Sequence, residues 1–137
     1  MEKLGAAWFG GITALPQEGL WVNRRFRLRK TSDILRVRRD GKSYAHPLVV
    51  LQFNENQLEQ TRIAVIASRK IGNAVKRNRA RRLLREASRK FYPEIQTGWD
   101  ILLTARSPIT KAHYPAVEAA LQNLFNKADL LVALNVR

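Results

Sequence analysis

The chain has 137 residues, 45% of them hydrophobic, with 25 Lys/Arg against 11 Asp/Glu and a formal net charge of +14; its pI is near 11.3. That length makes one domain with a modest core, too short for two. The absence of cysteine excludes disulfides, thiolate zinc sites and a cysteine nucleophile, while the charge attracts polyanions such as nucleic acid or an anionic membrane.

Residues 1–23 mix Gly, Ala and Pro with Trp8 and Trp21 and show no sustained period. They read as an N-terminal extension, poorly ordered unless docked, ahead of a single domain over 24–137. Glu2 and the Gly10-Gly11 pair make LGAAWFGGITAL a poor signal peptide, and no apolar run reaches the length of a membrane span. A soluble cytoplasmic location is therefore expected.

The basic run NRRFRLRK leads into TSDILRVRRDG, which has the marks of a short helix: Thr31 or Ser32 as cap, Asp33 in the first turn and Gly41 as terminator. Ile34, Leu35 and Val37 supply its apolar contacts, and Arg36, Arg38 and Arg39 are left for solvent or ligand. After Pro47, LVVLQF is a strand bounded by the polar turn NENQLEQT, and RIAVIASRK is a second strand, apolar on both faces. A long helix is predicted from Ala74 to Phe91, with Asn73 as N-cap and Pro93 just beyond its end. WDILLTAR is a third strand after the Gly98 turn. Pro115 opens a last helix whose Val117, Ala120, Leu121, Leu124 and Phe125 form a stripe. Leu130 to Val136 suits either a helix or a short strand. Strand, helix, strand over 62–106 suggests a βαβ crossover in a compact α/β sandwich.

The positive charge lies in two blocks. Residues 24–42 hold nine Lys/Arg against Asp33 and Asp40, and residues 69–90 hold ten against Glu86 alone; two such patches converging in the fold could grip a nucleic-acid backbone from two sides. On a helical wheel of the second block, Ala80, Leu83, Leu84, Ala87 and Phe91 gather on one side. Asn78, Arg82, Arg85 and Arg89 fall opposite, with Arg81 at the edge. Like charges on one helix face repel by a few tenths of a kcal/mol per adjacent pair, about the size of an i,i+4 contact, and an anionic ligand would relieve that cost. Arginine outnumbers lysine here, which favours bidentate phosphate contacts and stacking on bases. The turn Lys70-Ile71-Gly72-Asn73 offers backbone N–H groups at a positive helix end, suited to phosphate and equally readable as an ordinary turn. A solvated surface helix is the bland alternative, disfavoured because acidic partners are nearly absent.

The segment SRKIGNAVKRNRARRLLREASR, with its Arg77-Asn78-Arg79 core, closely resembles the signature of the bacterial ribonuclease P protein subunit. FRLRKTSDIL…GKS and DILLTAR…LFNKADLL match other family segments, so the resemblance spans roughly residues 23–130. It implies an α/β (α+β) two-layer sandwich with a mostly four-stranded sheet, a long basic helix and a left-handed βαβ crossover, against the usual right-handed rule. It also implies a protein cofactor of a ribozyme: the RNA subunit removes the 5′ leader of precursor tRNA with Mg²⁺ held mainly by RNA, and the protein binds that RNA and the leader. By motif match Arg69, Lys70, Asn73, Arg77, Asn78, Arg79, Arg82 and Arg85 face RNA; the wheel adds Arg81 and Arg89. The family's second surface, a cleft between sheet and first helix, takes the leader. Some relatives carry aromatic rings at the positions of Ile34 and Arg38, leaving Phe26, Tyr44 or Phe53 to supply a ring, each equally readable as core.

No carboxylate pair, His/Cys cluster or nucleophile–base arrangement suggests catalysis or a metal site on the protein itself. His46 and His113 read as loop or cap residues. The alternative function is a structural RNA-binding protein such as a ribosome component. A membrane-surface helix is disfavoured by the Ala-rich stripe, and no helix-turn-helix spacing supports DNA.

Overall fold

The computed structural model describes residues 27–132. The N-terminal extension, Trp8, Trp21, Phe26 and the end of the ambiguous Leu130–Val136 segment lie outside the described residues. Within them the order is α1 (Thr31–Asp40), β1 (Lys42–Ala45), β2 (Val49–Glu55), β3 (Arg62–Ile66), α2 (Ala74–Phe91), β4 (Trp99–Ala105) and α3 (Tyr114–Lys127).

The four strands form one mixed sheet in the order β1-β2-β4-β3. β2 runs antiparallel to both β1 and β4, whereas β3 is parallel to β4. The β3–α2–β4 segment is therefore the expected crossover, and it joins neighbouring strands. β1 is not evident from the sequence: all four residues of KSYA are exposed, so it carries no apolar alternation to betray a strand.

Strand alternation sorts the sheet into two faces. Val49, Leu51 and Phe53 of β2, Ile63 of β3, and Ile101, Leu103 and Ala105 of β4 point to one side. There they meet Ala80, Leu83, Leu84, Ala87 and Phe91 of α2 and Val117, Ala120, Leu121, Leu124 and Phe125 of α3 in the main core. These ten helical positions are the two stripes predicted from the wheel and the spacing. Phe91 and Phe125 meet edge to face at 5.8 Å.

The other face is covered by α1 through a small cluster of Leu28, Val37 and Leu102, with Ile34, Ala64 and Ile66 packed around it. Charge completes the attachment. Asp100 of β4 has no exposed surface. It accepts two hydrogen bonds from Arg62 (Nε to Oδ1 at 2.9 Å, Nη2 to Oδ2 at 2.8 Å), one from Asn56 at 3.0 Å and one from Arg36 of α1 at 2.6 Å. Arg36 also donates to the Glu55 carbonyl at 2.9 Å, and Asp33 lies 3.4 Å from Arg62. Arg36, expected to face solvent or ligand, is thus a structural tie. The predicted cap is also corrected: α1 begins at Thr31, and the residue at its N-cap position is Lys30, which makes no side-chain capping bond. Gly41 ends the helix as predicted, for a steric reason. A Cβ there would lie 2.5 Å from the Val37 carbonyl oxygen and 2.7 Å from that of Phe53.

Replacing Asp100 by Ala would leave the half-buried guanidinium groups of Arg36 and Arg62 with only the more distant Asp33 carboxylate, at 3.8 and 3.4 Å, a change that costs up to about 3–5 kcal/mol where a buried pair is broken from one side. Urea unfolding of Asp100→Ala is expected to show a loss of that order. A loss under about 1 kcal/mol would mean the carboxylate does not hold α1 and β3 together.

Candidate nucleic-acid interface

The interface is built on α2. Its start is defined by Asn73, whose Oδ1 accepts from the Lys76 amide at 3.0 Å, as the sequence predicted. Gly72 just before it has φ +139°, a conformation that side chains rarely adopt. The preceding residues Arg69–Ile71 form a 3₁₀ turn, and the amides of Lys70, Ile71 and Gly72 are taken up by Ser68 and Arg69. The amide cluster suggested by the sequence is therefore narrower than expected, with Ala74 and Val75 at the helix start beside the exposed side chains of Arg69 and Lys70.

Around the helix, burial separates the faces as the wheel does. Asn78, Arg81, Arg82, Arg85, Glu86 and Arg89 line an open depression of about 410 Å³ on the outer side. Arg81 is oriented by its neighbours, donating to Asn78 Oδ1 at 2.5 Å and to the Ala67 carbonyl at 3.5 Å. Arg82, Arg85 and Arg89 make no hydrogen bond or ion pair among the described residues. The Arg85 pKa is lowered, first by burial and then by the charges of Arg27 and Arg81. Arginine stays charged regardless, so this is a cation held beside other cations in a partly desolvated place. An anion arriving there removes a cost already built into the fold.

Not every cation of the block is available. Arg79 donates to three backbone carbonyls, Ala112 at 2.7 Å, Thr110 at 3.3 Å and Ile109 at 3.5 Å. Arg77 bonds the Gly72 carbonyl at 3.0 Å, and Lys90 pairs with Glu118 of α3. Of the Arg77-Asn78-Arg79 core, then, both arginines are engaged with the protein's own backbone and Asn78 orients Arg81. Such contacts lie far apart in sequence or run back to a turn, so nothing in a wheel reveals them.

The second candidate surface is the α1 side of the sheet. Ile34 is half-buried in the small apolar cluster, and Arg38 is exposed with no partner among the described residues. Half-buried Val50, Gln52, Asn54 and Thr104 share the sheet face on which α1 lies. Two ring candidates do not belong here. Phe53 is 4% exposed and points into the main core, edge-on to Trp99 at 5.6 Å; its alternation places it on the face away from α1. Tyr44 stacks on Phe53 at 6.0 Å, on that same far side. Phe26 lies outside the described residues. Among the described residues the α1 face therefore carries aliphatic, amide, hydroxyl and guanidinium side chains together with the carboxylates of Asp33 and Asp100.

The two histidines are loop and cap-position residues: His46 Nδ1 accepts from the Leu48 amide at 3.1 Å, and His113 precedes α3. The functional residues that sequence reasoning missed are Asp100 and Arg62, which fix α1 over the sheet. The signal was present in WDILLTAR, where one carboxylate interrupts an apolar strand and requires a buried cation.

A family model described as Ribonuclease P matches residues 22–129. The chain is 37% identical to the ribonuclease P protein component of Roseiflexus sp. (strain RS-1) over 113 residues, 82% of this chain and 93% of that protein. It is also similar to solved structures. The RNase P protein of Staphylococcus aureus superposes with a TM-score of 0.72 at 27% identity, covering 78% of this chain and 98% of that one. The RNase P protein of Thermotoga maritima gives 0.67 at 30% identity, covering 74% and 96%.

The cap at Asn73 determines where α2 begins and so where Arg69 and Lys70 stand. Asn73→Ala is expected to lower stability by about 1 kcal/mol, the usual worth of an N-cap side chain, measured by chemical denaturation. A change within ~0.3 kcal/mol would show that the turn, and not the cap, fixes the helix start.

Proposed function

The chain belongs to the ribonuclease P protein family, and on that premise we propose that its α2 surface holds the catalytic RNA subunit while its α1 cleft receives the single-stranded 5′ leader of precursor tRNA. The observation that carries the reading is the set Arg82, Arg85 and Arg89: exposed or half-buried guanidinium groups on one helix face that make no ion pair among the described residues, with Arg85 crowded by Arg27 and Arg81. Phosphate oxygens are the bidentate acceptors that such a row fits.

As the protein component of an endoribonuclease, the chain contributes binding and orientation, and the hydrolytic chemistry belongs to the RNA. The donor set of the α2 surface is guanidinium, ammonium and amide, with Glu86 its single carboxylate. That set does not suit a hard divalent cation, which takes several oxygen ligands. We assign the Mg²⁺ of the reaction to RNA phosphates. Cations spread over the RNA backbone reduce its self-repulsion, and so lower the Mg²⁺ concentration needed to compact it.

At the α1 cleft the proposed leader contacts are aliphatic from Ile34, ionic from Arg38, and hydrogen-bonding from the amide groups of Gln52 and Asn54. Tyr44 and Phe53 do not stack on the leader, because both lie on the opposite face. Among the described residues no helix is long and apolar enough to cross a membrane, and a precursor-tRNA substrate supports a cytoplasmic location as part of the proposal. A ribosomal role is not favoured, since the family match runs over residues 22–129.

The test is reconstitution with the cognate RNA subunit. Protein and RNA together are expected to cleave precursor tRNA at a Mg²⁺ concentration where either alone is inactive; no gain would overturn the assignment. Arg82→Gln is expected to weaken RNA binding and reduce its salt slope by about one unit. Arg38→Gln separates the two surfaces: it should reduce the preference for precursor over mature tRNA while leaving affinity for the RNA subunit unchanged.

A further inference from the structure

Arg79 stands on α2. It sits in the most basic stretch of the chain, yet its guanidinium is turned inward onto the carbonyls of Ile109, Thr110 and Ala112. Those residues belong to a 3₁₀ turn, Ser107–Lys111, and its C-cap, following β4. The turn is anchored on its inner side by Ile109, which has no exposed surface. On another side it meets the 3₁₀ turn Arg69–Ile71, with Ser107 Oγ donating to the Lys70 carbonyl at 3.4 Å. Since β3 and β4 are parallel, both turns lie at the same end of the sheet, and one of them leads directly into α2.

What this arrangement displays is cationic. Arg69 and Lys70 are exposed on the first turn; Arg106 and Lys111 are exposed at the start and end of the second. Arg106 reaches along the sheet end toward the β1–β2 connection, where its Nη1 donates to the His46 carbonyl at 3.2 Å. Lys111 makes no hydrogen bond or ion pair among the described residues. No acidic residue occurs in 67–79 or in 105–117, and Glu118 just beyond is paired with Lys90. A solvated loop has no need of three guanidinium bonds and a buried isoleucine to fix it. A strip that must match the spacing of phosphates does, since orientation fixed in advance need not be fixed on binding.

We propose that Arg106 and Lys111 form a second phosphate-binding strip that takes the backbone of the same structured RNA held by α2, and that Arg79 positions this strip and is not itself an RNA contact. The proposal rests on the RNA-holding reading of α2 and extends it around the N-terminal end of that helix. Arginine and lysine fixed on two abutting turns suit a backbone that passes from the helix face across the end of the sheet.

The test measures affinity of the full-length protein for its catalytic RNA across a salt series. Removing one phosphate-binding cation should reduce the slope by about 0.7–0.9. Lys111→Gln is expected to show that reduction with an unchanged melting temperature, and the Arg106→Gln/Lys111→Gln pair about twice that reduction. Arg82→Gln serves as the reference. If it lowers the slope and the pair does not, the strip is overturned and the α2 reading stands. If neither lowers it, both fail. Arg79→Lys keeps the charge but cannot reach three carbonyls; it should weaken binding several-fold in the natural background and little in the Arg106→Gln/Lys111→Gln background. Equal weakening in both backgrounds would make Arg79 an independent contact and overturn its positioning role.

Discussion

Asp100 has no exposed surface and lies near the start of β4, an interior strand of the sheet, so its charge has to be matched from within the protein. The parallel register of β3 and β4 sets Arg62 directly beside it, and that pair accounts for two of its hydrogen bonds. The remaining demand reaches out of the sheet to Arg36, and Arg36 is on α1. Only three fully buried apolar residues hold α1 to its face of the sheet. Apolar contact is non-directional; a guanidinium meeting a carboxylate and a carbonyl at once is not. Exchanging a buried ion pair for apolar groups is often no loss in stability, so what Asp100 supplies here is chiefly the angle at which α1 crosses the strands.

The other face works by the opposite means. α2 carries a cationic surface that repels itself, and it stays docked because its apolar stripe is worth more. Burying Leu83, Leu84 and Phe91 contributes about 1.5–3 kcal/mol each, against a few tenths of a kcal/mol per like-charge pair. With the helix secured by its inner side, the outer side is free of acids other than Glu86. Arg85 has its pKa lowered by burial and by the neighbouring cations Arg27 and Arg81, as expected of a cation set beside others with no anion bound. The protein divides its cations accordingly: Arg77 and Arg79 hold backbone, Lys90 holds α3, and Arg82, Arg85 and Arg89 are left outward.

Local periodicity made much of this legible in the sequence. The α2 and α3 stripes, Asn73 as cap, Gly41 as terminator and the outward arginine row all follow from residues within a turn or two of each other. What escaped depends on partners far along the chain. β1 shows no alternation of burial because all four of its residues stay exposed, so only its pairing with β2 identifies it. Phe53 and Tyr44 could be assigned to a face only once the register with β4 was known, and a shift of one residue would have reversed the answer. Arg36 and Arg79 look like their free neighbours in sequence; they are distinguished by Asp100, 64 residues away, and by carbonyls about 30 residues away.

The two basic blocks meet at the free edge of the sheet. Arg27 pairs with Ile63 in a single parallel bridge, and the Leu28 amide donates to the Ile63 carbonyl at 3.0 Å, which lays the chain leading into α1 along the outer side of β3. From there Arg27 comes close enough to Arg85 to lower its pKa. The first block therefore touches the second at this edge, with exposed Arg29 and Lys30 continuing toward α1. A polyanion held on α2 has a cationic path around the β3 edge to the α1 side. A sheet with helices on both faces would ordinarily keep its two surfaces independent. Here the edge strand is bordered by arginine, so the positive potential of the α2 face continues around the edge to the α1 face.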